Sequence, residues 1–298
     1  APEAALNGLS CLRPLTRLLF SNCGLEQVPT QLKELRSLKE LILHGSHQLE
    51  GRGQQSSPGL QAVQHLTALT RMSLSGCGLV RLPQQMSCVS TLHQLDISWN
   101  SFGGADVREL LEPLQHLTRL TRIDLSSCSL LALPAFIYSL KALVSLNLFN
   151  NDFGVVGTED SLAPLRHLTG LTRLDLGRCQ LAALPTCMSG LTQLADLDLA
   201  CNELGPQEGA QQVELQLPGL TALTRLSLSQ CQLNCLPASI SALCSLQDLN
   251  LSDNSFAAAA LECLHPLQQL TGLTQLDLTK CHLTSWPDSV SHLRRLKV

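Results

Sequence analysis

Leu171-Thr-Arg-Leu174-Asp-Leu176-Gly-Arg-Cys179-Gln-Leu181-Ala-Ala-Leu184-Pro185 decides the fold of this 298-residue chain, because the same pattern returns ten more times. Its first leucine falls at Leu15, Leu38, Leu69, Leu92, Leu120, Leu143, Leu171, Leu194, Leu223, Leu246 and Leu273, so that steps of 23 residues alternate with steps of 27 to 31. Alternation at Leu174 and Leu176 has the period of a strand, which points both inward and turns Arg173 and Asp175 to the opposite face. A fixed period in the twenties means that each unit supplies one short strand and a return segment, and that neighbours stack to bury a common core.

The next inward position is Cys in every short unit (Cys23, Cys77, Cys128, Cys179, Cys231, Cys281) and Asn in most long ones (Asn100, Asn151, Asn202, Asn254). Both residues suit a buried turn whose backbone amides need partners. Short units continue with a Pro (Pro29, Pro83, Pro134, Pro185, Pro237, Pro287) and apolar residues three apart, such as Ile137, Leu140 and Leu143, which predicts an extended or single-turn return. Long units replace this with stretches such as 152–168, where Leu162, Leu165 and Leu168 are expected along one face of a short helix. His65, His116 and His167 recur at one position of the two-unit repeat, which points to a local hydrogen-bonding or capping role.

Parallel strands lie about 4.8 Å apart, so cysteines in alternate units sit roughly 10 Å apart, beyond disulfide reach. Thirteen cysteines so arranged indicate a reducing, cytoplasmic compartment. Cys231, Cys235 and Cys244 form a weak zinc-like cluster that reads better as buried thiols, and no metal site is assigned. With 44% hydrophobic and only 3% aromatic residues, the composition fits a leucine-filled solenoid. A net charge of -4 gives no basic excess for nucleic acid. No apolar stretch approaches bilayer length, and the start, Ala1-Pro-Glu-Ala-Ala, lacks the order of a secretory signal. The whole of 1–298 reads as a single array cut within a repeat at both ends: residues 1–14 resemble the return of a missing unit, and 293–298 begin a twelfth.

Leu120-Thr-Arg-Ile-Asp-Leu-Ser-Ser-Cys-Ser-Leu-Leu-Ala-Leu-Pro134 resembles the short leucine-rich repeats of intracellular Ras-signalling scaffolds and phosphatase-regulating subunits, whereas the longer Asn-bearing units resemble ribonuclease-inhibitor and plant-type arrays. The resemblance implies an α/β solenoid. In it a horseshoe carries a parallel concave sheet of about eleven short strands, backed by a convex side of extended, 3₁₀ and short helical segments. It implies protein recognition and transfers no catalytic residue.

The concave wall is the usual binding surface of such arrays. Its middle carries Asp96, Asp124, Asn147, Asp175 and Asp198, with Arg122 and Arg173 two residues earlier on their strands and expected to pair with Asp124 and Asp175. Trp99 and Phe149 continue their strands on the outward side where other units have small residues, and are the expected anchors. The acidic balance suits a protein partner with a basic surface. Leu19 and Ile42 occupy the same column near the start, and 45–58 forms a polar insertion. Signatures for phosphate binding, serine nucleophiles and zinc peptidases are absent, so no catalytic residue and no cofactor is assigned. The leading reading is a non-catalytic scaffold or adaptor. The alternatives are the substrate-recognition or regulatory segment of a larger enzyme, such as a kinase or ubiquitin ligase, and an immune-type sensor. Partner identity and oligomeric state stay open.

Overall fold

A computed structural model describes residues 12–25, 27–46, 58–104, 106–206, 215, 217, 219–256 and 261–297, with the side chains of 58, 59, 261 and 262 left out. The expected insertion at 45–58 falls largely outside these residues, as does most of 1–14. The chain divides into two compact units, 1–146 and 147–298.

Unit 1 contains strands β1 (Arg17–Leu19), β2 (Glu40–Ile42), β3 (Arg71–Ser73), β4 (Gln94–Asp96) and β5 (Arg122–Asp124), each paired in parallel with its sequence neighbour. Strand β6 (Ser145–Asn147) straddles the boundary. Unit 2 contains β7 (Arg173–Asp175), β8 (Asp196–Asp198), β9 (Arg225–Ser227), β10 (Asp248–Asn250) and β11 (Gln275–Asp277), paired in the same way. Eleven strands, one per pattern copy, are what the leucine spacing predicts. The middle residue of each strand from β2 to β10 is buried, and the flanking residues are partly or fully exposed.

The return segments explain the three-residue spacing. A 3₁₀ helix has three residues per turn, so positions three apart eclipse one another. Ile137, Leu140 and Leu143 are accordingly all buried, on a chain of i to i-3 hydrogen bonds that begins at Pro134. The long unit departs from the expected single helix. Helix α1 spans only Val107–Leu110 and helix α2 only Thr158–Leu162, and each gives way to a 3₁₀ turn (Glu112–His116, Ala163–His167) that carries the remaining leucines inward. Spacing of three, rather than 3.6, was the signal for that switch. His65, His116 and His167 each end a 3₁₀ helix and are exposed.

The turns that follow the strands are held by the two inward columns, and the columns work differently. Asn202 Oδ1 accepts from Cys179 N and Leu181 N of the preceding short unit, both at 3.0 Å, while its Nδ2 donates to Leu176 O and Leu199 O. Asn100 and Asn254 repeat the arrangement around Cys77 and Cys231. The cysteine thiols donate instead, each to a carbonyl of the preceding long unit: Cys77 to Leu43, Cys128 to Ile97, Cys179 to Leu148, Cys231 to Leu199 and Cys281 to Leu251, at 3.0 to 3.3 Å. In the second copy Ser46 stands where the others have Asn, and its buried hydroxyl finds no partner. Six buried ladder cysteines were expected and five are buried. Cys23 is exposed, and its thiol donates to Ser21 O. The three members of the zinc-like cluster sit on separate turns, with Cys231 buried, Cys235 half-buried and Cys244 exposed.

A glycine follows each of three ladder asparagines at a fixed distance, and close approach requires it. A Cβ on Gly103, Gly154 or Gly205 would lie within 2.4 Å of a carbonyl oxygen of the next short unit (Ser129, Gln180, Gln232).

Two outcomes follow. Leu174→Ala should cost about 2 to 5 kcal/mol by opening a core cavity. The adjacent Asp175→Asn keeps the acceptor of a half-buried, outward-facing side chain and should stay within about 0.5 kcal/mol; equal losses in thermal midpoint would reverse the assignment of the two faces.

Burial pushes the Cys77 thiol up to about 11 and those of Cys128, Cys179 and Cys231 up to about 12. A thiol held neutral in the folded chain ionises near its ordinary value of 9.0 once unfolded, so its contribution to stability is intact below that pH and is lost as pH rises towards 12. Native alkylation should therefore label Cys23, Cys88 and Cys244 first and leave these four untouched. In denaturant all thirteen thiols should react, and a shortfall in intact mass would reveal disulfides that the geometry forbids.

Candidate protein-binding strand face

The outward column at the third residue of each strand has a local task. Where the chain leaves a strand it turns through a left-handed residue three positions on, among them Trp99, Ser127, Asn150, Arg178, Cys201 and Asp253, with φ from 53° to 59°. That bend leaves the amide between strand end and turn without a ladder partner. Side-chain oxygens at the strand end accept it, and Asp, Asn and Ser are the residues able to do so. Asp96 accepts from Ser98 N, Asp124 from Ser126 N, Asn147 from Phe149 N, Asp175 from Gly177 N and Asp198 from Ala200 N, all at 2.8 to 3.0 Å. Asp96 also receives the hydroxyls of Ser73 and Ser98, and Asp124 that of Ser126. Asp277 does the same with Thr279, whose side-chain and then backbone hydrogen bonds hold its carboxyl below the usual carboxylate range. The expected acidic wall is thus a row of strand-end caps as well as a row of charges. The clue was that the column is almost wholly Asp, Asn or Ser.

Arginine pairing was expected along the strand and occurs across it instead. Arg173 lies 4.0 Å from Asp196 rather than beside Asp175, and Asp196 also accepts from Arg225 at 2.7 Å. In unit 1, Arg17 pairs with Glu40 at 2.9 Å, while Arg122 makes no ion pair among the described residues. Geometry decides this. Register partners on neighbouring strands are about 4.8 Å apart, whereas positions i and i+2 on one strand are about 6.7 Å apart.

Trp99 and Phe149 do not occupy equivalent positions, contrary to expectation. Trp99 is the left-handed turn residue itself, 66% exposed, with Gly76 and Ser127 as its counterparts in the adjacent copies. A tryptophan there bears the backbone cost of a left-handed conformation, about 1 to 2 kcal/mol, without compensating burial. Phe149 is one position earlier, the counterpart of Ser98, and is half-buried. In unit 2 its ring covers Gly177: a Cβ at Gly177 would meet Phe149 Cδ2 at 3.0 Å and Ala200 O at 3.3 Å. Counting from Asn100 and Asn151, instead of from the strands, separates the two aromatics in sequence.

The structure brings Asp96, Trp99, Arg122 and Asp124 onto the strand face of unit 1. Asn147, Phe149, Arg173, Asp175 and Asp198 lie on that of unit 2. No group of three or more His, Cys, Asp and Glu able to hold a metal occurs among the described residues, and no described helix is long and apolar enough to cross a membrane.

Residues 47–283 match the family model described as leucine-rich repeat region. The human volume-regulated anion channel subunit LRRC8A is 29% identical over 180 residues, covering 60% of this chain and 21% of that subunit. Ribonuclease inhibitor from Sus scrofa is 28% identical over 240 residues, covering 72% of this chain and 51% of the inhibitor. The chain therefore spans about a fifth to a half of these relatives. Among solved structures, a leucine-rich repeat protein of Leptospira interrogans superposes with a TM-score of 0.79 at 24% identity, covering 98% of this chain and 68% of that one.

The Phe149–Gly177 contact is testable by a double-mutant cycle. Gly177→Ala should destabilise by about 1 to 3 kcal/mol through overpacking, and Phe149→Ser in the same chain should restore part of the loss. Additive effects in urea denaturation would show that the ring does not lie on Gly177.

Proposed function

Since this chain belongs to the leucine-rich repeat family, we propose that it is a non-catalytic protein-recognition scaffold or adaptor that takes its partner on the strand face. The observation that carries this reading is Trp99, a large apolar side chain placed in a left-handed turn and left exposed between small neighbours. Packing gives it no role. Exposed aromatics with open space on both sides are the residues that anchor interfaces.

Charge supports a basic surface on the partner of unit 2. Its strand face carries Asp175, Asp196, Asp198, Asp248 and Asp277 against Arg173 and Arg225, and both arginines lean on the single carboxylate of Asp196. The remaining carboxylates steer a cationic partner. Unbridged thiols among the described residues support a reducing, cytoplasmic setting. A second reading, the recognition segment of a larger multidomain protein, is favoured by the small share of LRRC8A that the chain spans.

The test is a pull-down with the intact chain followed by binding kinetics. Trp99→Ala should weaken the complex by about 2 kcal/mol, chiefly through faster dissociation, with a smaller loss for Phe149→Ala. Asp198→Asn with Asp277→Asn keeps the strand-end acceptors, so it should slow association and flatten its salt dependence without unfolding the chain. A partner set unchanged in all these variants, with native circular dichroism, would move the site off the strand face.

A further inference from the structure

The turns that lead into the strands of unit 1 carry cations of a kind that the strand-end column does not. Arg36 and Lys39 precede β2, Arg71 opens β3, and Arg119 and Arg122 precede and open β5. All five side chains are exposed, and among the described residues none makes an ion pair or a side-chain hydrogen bond. The one carboxylate that starts a strand here, Glu40, is already taken by Arg17. Five free cations on one edge are a local feature, since the chain as a whole carries a net charge of -4.

Backbone bonds fix their spacing. Thr70 N and Arg71 N both donate to Lys39 O, His93 N and Gln94 N to Thr70 O, and Thr121 N and Arg122 N to His93 O, at 2.9 to 3.1 Å. From β2 to β5 the edge therefore advances by three strand spacings, about 14 Å, and Arg71 stands about 10 Å from Arg122. Same-face side chains of an extended peptide repeat about every 6.7 Å, so three alternating acidic residues cover the row. Guanidinium groups offer paired donors that fit carboxylates. At the far ends of the same strands Asp96 and Asp124 are capped by serine donors. Their charges repel an acidic segment from that side and confine it to the leading edge.

We infer that the leading edge of the sheet in unit 1, built from Arg36, Lys39, Arg71, Arg119 and Arg122, docks an extended acidic segment of a partner protein. The inference rests on the protein-recognition reading and adds a second contact of opposite charge preference to that of unit 2. A polypeptide fits better than single-stranded nucleic acid, because no Phe, Tyr or Trp stands on these turns to stack bases.

The experiment uses the full chain and a fluorescent dodecapeptide of alternating Asp and Ala, with an Asn-for-Asp peptide as control, read by anisotropy at two salt concentrations. The wild type should bind the Asp peptide at least ~10-fold more tightly than the Asn peptide, and less tightly at high salt. Arg71→Glu with Arg122→Glu should lose at least ~10-fold, Arg71→Lys with Arg122→Lys should stay within ~3-fold, and Arg294→Glu with Arg295→Glu in unit 2 should match the wild type. Circular dichroism checks that each variant is folded. Equal binding of both peptides, an equal loss in the Arg294/Arg295 variant, or tighter binding of an oligothymidylate or of phosphatidylserine vesicles would overturn the inference. The two readings separate cleanly: a Trp99-dependent partner without peptide binding removes the edge alone, and peptide binding with a Trp99-independent partner removes the strand-face anchor alone.

Discussion

Every copy of the repeat must turn its chain out of a strand while the turn is being buried by the next copy, and the backbone amides in that turn have no ladder to join. An unanswered buried amide costs about 1 to 3 kcal/mol, and the turn recurs with every strand, so the array exists only because side chains answer these groups. Asparagine answers two amides and two carbonyls at once, as Asn202 does. Cysteine is the weaker partner in both directions, and its thiol donates to a carbonyl that the asparagine of the same long unit also uses: Leu199 O receives both Asn202 Nδ2 and Cys231 Sγ. Leucine burial supplies the bulk of the stabilisation, at about 1.5 to 3 kcal/mol per side chain. The polar ladder makes that burial possible.

The same constraint reaches the surface. On the outward side a carboxylate, an amide or a hydroxyl caps the strand end, so Asp175, Asp198 and Asp277 of the unit 2 face are structural as well as acidic. Exchanging Asp for Asn removes charge and keeps the cap, whereas exchanging it for Ala removes both. Function and stability are thus separable at these positions by choice of substitute.

The fold was legible because its signals are periodic. Leucine spacing located each strand, the Cys and Asn columns located each turn, and spacing of three residues encoded 3₁₀ returns, although 152–168 suggested one short helix through Leu168 where a helix and a 3₁₀ turn share the segment. The strand face was legible only in part. Which residues point outward follows from alternation, so Asp96, Asp124, Asp175 and Asp198 were found. Pairing depends on distances between strands, which sequence order hides, and Arg173 went to Asp196 rather than Asp175. Trp99 and Phe149 looked alike because both follow a strand. Their difference is one residue of register, and it separates a half-buried ring on Gly177 from an exposed indole in a left-handed turn.

The division of labour between the two ladder residues also sets how such a gene can lengthen or shorten. Two cysteine copies placed in succession would leave the amides of the first, those that Asn100 answers at Cys77 and Leu79, facing a thiol whose sulfur is a far weaker acceptor than an amide oxygen. Excising one copy is therefore penalised, whereas excising a pair rejoins like to like. From Leu69 through Leu120 and Leu171 to Leu223 the pair measures 51 or 52 residues. A pair of copies, rather than a single one, is thus the unit that can be exchanged with the turn amides still answered.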